Sequence, residues 1–189
     1  MKFDTIGIIP AMVTPVDKRG NINKGVLRKL TDYLIKGGIH GLFPVGSTGE
    51  YYGLTLEQKK EVIEIVVDEA NGRVPVYAGA GLITTKDTIE VTKMAADIGV
   101  DAVSVITPMF IRPRQNELYN HYKAVANSVN IPVLLYNNPP RTGVNVSPRL
   151  LEKLSKIENI VGIKDSSGDM TLIGEFIRRT GDDLSLIHI

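Results

Sequence analysis

Six apolar runs of strand length recur along this chain at intervals of about 30 residues, and a chain punctuated in that way has few folds open to it. They occupy residues 6–13, 41–45, 74–78, 102–106, 132–136 and 160–164, and a seventh begins at Leu184. The runs are rich in Val and Ile and do not alternate with polar residues, the pattern of parallel strands buried on both faces. Parallel neighbours need a crossover between them, and about 30 residues is the length of one βα unit.

The intervening stretches carry helix signals. Thr55-Leu56-Glu57-Gln58 fits a capping box, and Val62, Ile65, Val66 and Ala70 then form one apolar stripe. Ser147 before Pro148 reads as an N-cap with proline in the first turn. Leu27, Leu30 and Leu34 form a second stripe closed by Gly37-Gly38, and a further helix is predicted over 115–128 with Leu118, Tyr122 and Val125 inward. Gly38-Ile39-His40-Gly41-Leu42 is echoed by Gly99-Val100-Asp101-Ala102-Val103, and Val74-Pro75-Val76 by Ile131-Pro132-Val133. A repeat of two βα units fits either a barrel or a doubly wound sheet. With no linker and no low-complexity segment, residues 1–189 read as one domain.

Other classes are set aside by composition. A net charge of +1 gives no footprint for nucleic acid or an anionic membrane. The absence of cysteine removes disulfides, thiolate catalysis and cysteine-bound zinc, and suits a cytoplasmic address. No apolar stretch approaches a membrane span of about 18 residues, and the N-terminus has no signal-peptide pattern. His40, His121 and His188 are not spaced as metal ligands, and no Gly-x-Gly-x-x-Gly follows the first run, so neither a metal nor a nicotinamide cofactor is expected.

Polar and glycine-rich residues gather just after the runs, at 46–50, 79–81, 107–108, 137–143 and 165–168. In a parallel βα array these segments share one end, where such folds keep their chemistry. Lys164 ends the sixth run, and lysine is almost never fully buried without a partner. One reading pairs it with Asp165. The other is chemical: desolvation favours the neutral amine, which attacks a ketone or aldehyde carbon to give a Schiff base. At pH 7 an ordinary lysine, with a pKa of about 10.4, is neutral in only about one molecule in several thousand. Gly46-Ser47-Thr48-Gly49 offers two hydroxyls and a curve of backbone N–H groups suited to a carboxylate or phosphate, or is simply a tight βα turn. Tyr136 ends the fifth run as a proton relay or a core tyrosine, and Arg141 is either a fork for a carboxylate or a solvated charge.

The order of three motifs is more specific than any one of them. Gly-Ser-Thr-Gly-Glu at 46–50, Tyr-Asn-Asn-Pro at 136–139 with Arg141-Thr142-Gly143, and Gly-Ile-Lys-Asp-Ser-Ser-Gly-Asp at 162–169 resemble the dihydrodipicolinate synthase / N-acetylneuraminate lyase family. The resemblance runs from the first strand to about Asp183. It implies an α/β fold, a (β/α)8 TIM barrel that is incomplete here, with about six βα units and the start of a seventh strand. It implies a pyruvate-dependent class I aldolase or lyase without cofactor, acting on pyruvate and an aldehyde, and a homodimer or homotetramer when full length. By the same resemblance Lys164 forms the Schiff base, Gly46, Ser47 and Thr48 hold the pyruvate carboxylate, Tyr136 shuttles protons with a Ser47 or Thr48 hydroxyl, and Arg141 meets the carboxylate of a second substrate.

Two departures accompany the resemblance. Synthases of this family carry two tyrosines after Thr-Pro at the fourth strand, the second serving a partner subunit's proton relay. Here Thr107-Pro108-Met109-Phe110 puts a side chain without hydrogen-bonding capacity in that place. Arg141 points to a synthase, whereas Lys-Asp-Ser-Ser-Gly-Asp is common among aldolases of 2-keto-3-deoxy sugar acids. The expected activity is therefore that of 4-hydroxy-tetrahydrodipicolinate synthase, with a sugar-acid aldolase, an N-acetylneuraminate lyase, a catalytically silent keto-acid-binding paralogue and, last, a phosphate-binding barrel as alternatives. The second departure is length: a complete barrel takes about 250 residues, and the chain is read as a fragment whose open sheet edges favour poor solubility.

Overall fold

A computed structural model describes residues 6–181 and 184–188. Five parallel strands form one sheet in the order of the chain: β1 (Tyr77–Gly79), β2 (Ala102–Ile106), β3 (Val133–Asn137), β4 (Ile160–Asp165) and β5 (Ser185–His188). A doubly wound sheet reverses its order at a switch point. Here every strand pairs with the next in sequence, which is barrel winding.

The first two apolar runs lie beside this sheet but are joined to it by single bridges, Ala11 with Phe43 and Leu42 with Val76, rather than as regular strands. Proline is the reason. Pro10 and Pro44 lack the N–H a ladder needs, and each offers only its carbonyl, to Phe43 and Gly79 respectively. Val45 at φ 58 then turns the chain out of extended geometry.

Helices cover the outer face. α1 (Lys24–Lys36) is capped by Asn23, and α2 (Leu56–Ala70) begins with the complete Thr55–Gln58 capping box. α3 (Thr85–Ile98) ends at Gly99, whose φ of 97 supplies the left-handed cap. α4 (Gln115–Ala126) buries Leu118, Tyr122 and Val125, while the short α5 (Pro139–Thr142) precedes α6 (Pro148–Leu154), capped by Ser147. α7 (Met170–Thr180) starts at Asp169, whose carboxylate accepts the N–H groups of Thr171 and Leu172.

Two apolar layers follow from this arrangement. The larger packs Val103, Val105, Leu135, Ile163 and Phe176 between strands and helices, and reaches Val45, Tyr51, Ile106 and Tyr136 at the strand ends. The smaller fills the concave side with Phe43, Tyr77, Ala102, Leu134 and Val161. In β4 the pairing shifts: Val133 faces Ile160, but Leu134 already faces Gly162, so Val161 is an extra residue. Residues three apart on a regular strand face opposite sides. The bulge lets Val161 and Lys164 both face the concave side.

Candidate active site

β3 and β4 end in register, Tyr136 beside Lys164 and Asn137 beside Asp165. Successive side chains alternate, so Tyr136 and Lys164 project together into the concave face while the second pair points away. Lys164 Nζ lies 3.7 Å from the centroid of the Tyr136 ring and 5.8 Å from that of Phe43. The lysine is 7% exposed and its amine donates to Ser166 Oγ at 3.3 Å. Burial lowers its pKa below the ordinary lysine value, against the opposing pull of Tyr136 and Asp165.

Pairing with Asp165 does not occur. Among the described residues no ion pair joins the two, and the Asp165 carboxylate accepts from Asn137 Nδ2 at 2.8 Å and from Ser167 Oγ at 2.5 Å. Asn137 is held in turn, donating to Asn145 and accepting the Val146 N–H, so this network ties the loop after α5 to the strand ends. The lysine is thus left without a fixed counter-charge.

At the Tyr136 phenol, burial acts to raise the pKa, but the Lys164 charge and hydrogen bonds with Ser47, Asn138 and Lys164 outweigh it and hold the group below the usual tyrosine value. Asn138 Nδ2 donates to the phenol oxygen at 2.8 Å. A tyrosine easier to ionise beside an amine easier to neutralise can exchange a proton with it at little cost.

The 46–49 turn faces this pair. Gly46 is buried, its carbonyl accepts the Gly49 and Tyr51 N–H groups, and Thr14 Oγ1 donates to Gly49 O at 2.8 Å. The turn's own bonds use the N–H groups of Gly49, Glu50 and Tyr51, and leave those of Ser47 and Thr48 aside. Ser47 bonds Tyr136 and so joins the lysine–phenol pair. Thr48 is exposed at the rim, as is Arg141 in α5, which makes no ion pair among the described residues. The structure therefore brings together Lys164, Tyr136, Ser47 and Gly46, and leaves Thr48 and Arg141 at the mouth.

Phe43, Val45, Gly79, Gly81, Tyr51, Ser104 and Ile106 complete the lining of a small cavity behind Ser47 and Tyr136. Tyr51 and Ser104 carry no motif in the sequence. A serine in an apolar strand and a tyrosine after a turn are common, and only the fold shows where they point. Phe110 lies outside the site, 91% exposed at φ 77. Among the described residues no group of His, Cys, Asp or Glu is placed to hold a metal, and no helix is long and apolar enough to cross a membrane.

Comparison with known proteins adds to this geometry. A model of the dihydrodipicolinate synthetase family matches residues 4–188. The chain is 43% identical over 185 residues to 4-hydroxy-tetrahydrodipicolinate synthase of Phenylobacterium zucineum, covering 94% of this chain and 63% of that protein. It superposes on crystalline dihydrodipicolinate synthase from Bacillus anthracis with a TM-score of 0.93 at 43% identity, over 96% of this chain and 63% of the other. The chloride-inhibited dihydrodipicolinate synthase of Acinetobacter baumannii, crystallised with pyruvate, matches with a TM-score of 0.94 at 40% identity, over 96% of this chain and 62% of the other. The chain thus spans a little under two thirds of the length of these relatives.

Proposed function

The chain belongs to the dihydrodipicolinate synthetase family, and from that premise we propose that it joins pyruvate to an aldehyde through a Schiff base on Lys164, as a 4-hydroxy-tetrahydrodipicolinate synthase does with aspartate semialdehyde. The observation that carries the reading is the buried Lys164 amine, 3.7 Å from the Tyr136 ring centroid and without a fixed counter-charge.

The chemistry follows from the placement. The neutral amine attacks the keto carbon of pyruvate, the carbonyl oxygen leaves as water, and an iminium remains. Its positive charge acidifies the neighbouring methyl group. One C–H bond breaks, its electron pair forms the enamine double bond, and the proton passes to the oxygen of Tyr136. The enamine carbon then bonds to the aldehyde carbon, the aldehyde oxygen takes a proton, and water frees Lys164. The Ser47 hydroxyl and the N–H groups of Ser47 and Thr48 hold the pyruvate carboxylate in this reading, with Gly46 shaping the turn. Arg141 at the rim meets a carboxylate on the second substrate. Assembly as a homodimer or homotetramer in the cytoplasm belongs to the same reading.

A second reading rests on Phe110. With no hydroxyl, it adds nothing to a proton relay in this site or a partner's. That favours an aldolase of 2-keto-3-deoxy sugar acids, or an N-acetylneuraminate lyase, over a lysine-pathway synthase.

Incubation with pyruvate and borohydride, followed by mass spectrometry of the digested protein, tests the shared step. A reduced pyruvyl adduct on Lys164 is expected, and its absence would falsify both readings. An aldehyde panel of aspartate semialdehyde, glyceraldehyde and N-acetylmannosamine then separates them. An adduct with no turnover of any aldehyde would mark a silent keto-acid-binding protein.

A further inference from the structure

The turn after Ser47 sends two adjacent tyrosines in opposite directions. Glu50 sits at φ 54, and the single 3-10 turn that follows, Tyr51–Gly53, buries Tyr51 to 6% exposure and leaves Tyr52 at 70%. A tyrosine serving only the core bonds its hydroxyl to a strong acceptor. Tyr122 does so, donating to Val105 O at 3.2 Å. Tyr51 does not: its hydroxyl rests against Met109 Sδ at 3.8 Å, a weak acceptor.

Ser104 presents the same anomaly from another element. It stands on β2 among Val103 and Val105, is 5% exposed, and its Oγ has no protein partner. Unpartnered buried hydroxyls are costly and uncommon. Tyr51, Ser104, Ser47 and Tyr136 all line one cavity, walled elsewhere by Phe43 and the backbone of Gly79 and with room for about one water molecule.

We propose that Tyr51 is a second phenol of this site, a positioning residue that donates to one water molecule anchored by Ser104 and so stabilises the ionised form of Tyr136. The water accepts the hydroxyl protons of Tyr51 and Ser104 and donates to the Tyr136 oxygen, which satisfies all three. No proton leaves Tyr51 in this arrangement. Burial, reinforced by the neighbouring Tyr136 and Tyr52 phenols, pushes Tyr51 up to about 12, so it remains a donor at neutral pH. Tyr136 is displaced the opposite way, and opposed displacements in one cavity assign donor and acceptor. The role rests on the Schiff-base reading above, because Tyr136 needs its negative form when the methyl proton departs.

Tyr51→Phe removes one hydroxyl and keeps the ring. Two readouts separate its function from its packing: the fraction of Lys164 trapped by pyruvate and borohydride, and the rate at which pyruvate methyl protons exchange in heavy water, followed by NMR. The trapped fraction should stay within about twofold, while exchange slows at least about tenfold, less than the roughly 10²–10⁴-fold of a direct general acid or base because Tyr51 acts through Tyr136. Ser104→Ala should slow exchange by a smaller factor, and Tyr52→Phe should leave both readouts unchanged. The proposal is overturned if Tyr51→Phe exchanges at the unsubstituted rate, or if trapping and exchange fall in equal proportion, as a packing defect would produce. Should Tyr51→Phe fail to fold, an unchanged exchange rate in Ser104→Ala overturns it equally. Absence of a Lys164 adduct in the unsubstituted protein is a different failure, and removes the reading beneath the proposal.

Discussion

An ammonium group at the position of Lys164 is a structural liability. Two aromatic rings contact it, the Ser166 and Tyr136 hydroxyls bond it, and the Asp165 charge only partly offsets its burial. Its folded-state pKa lies below the unfolded value, so at pH values between the two the unfolded chain binds more protons and stability rises with pH. Below that interval the folded state carries the desolvation penalty in full. Lys164→Met should therefore abolish adduct formation and stabilise the fold at pH 7 by about 1 kcal/mol or more. The gain should shrink as pH rises toward the unfolded lysine value. Urea midpoints of both proteins at pH 7 and pH 9 measure this, and a Met variant less stable at neutral pH would contradict it. The strand-end positions of Lys164 and Tyr136 were legible in sequence because each closes an apolar run, but their roles came only with the family resemblance. Tyr51 was not, because its inward turn depends on a left-handed glutamate, and glutamate does not announce that geometry.

At the scale of elements, legibility follows local chemistry. Helices with a capping box, or with serine before proline, begin where Thr55 and Ser147 predict. α3 and α7 begin at lone caps, Thr84 and Asp169, which read as ordinary loop residues until the helix is seen. The first two strands failed as regular strands because an apolar pattern does not register the missing N–H of proline, and the first run is not buried on both faces as predicted, with Ile6, Ile8 and Val13 exposed. Packing between helices makes one further property testable. His121 on α4 is 6% exposed, with Nδ1 at 2.9 Å from Thr85 Oγ1 of α3 and no partner for Nε2. Burial pushes its pKa down to about 4 from 6.5. Between those values the unfolded chain holds the extra proton, so stability is lost as pH falls from 6.5 toward 4, by up to about 3 kcal/mol. His121→Asn keeps a hydrogen bond for Thr85 but does not titrate there. Its acid limb in denaturation midpoint against pH should be flatter by that amount, and an unchanged limb would reject the assignment.

Across the whole molecule, barrel winding sets two apolar layers against opposite faces of the same strands, and the site stands on the inner one. Leu134 and Leu135 are adjacent on β3 and both buried, yet they serve different layers. Leu135 packs toward the helices. Leu134 lies two residues before Tyr136 on the same face, and its Cδ2 is 3.4 Å from where a side chain would begin at Gly162, two residues before Lys164. It is the floor under the reactive pair. Truncating either leucine to alanine should cost about 2–5 kcal/mol of stability through the cavity it leaves. Their effects on chemistry should diverge. Leu134→Ala opens space beneath the lysine, water relieves the desolvation that lowers the amine's pKa, and that pKa returns toward the ordinary value. Adduct formation with pyruvate should then be slower at pH 7 and recover as pH is raised. Leu135→Ala, equally destabilised but hollowed on the other layer, should trap pyruvate at the unsubstituted rate wherever it remains folded. Equal slowing in both variants would mean that the pKa of Lys164 is lowered by something other than the inner layer, and that general loosening of the fold, not local hydration, governs its reactivity.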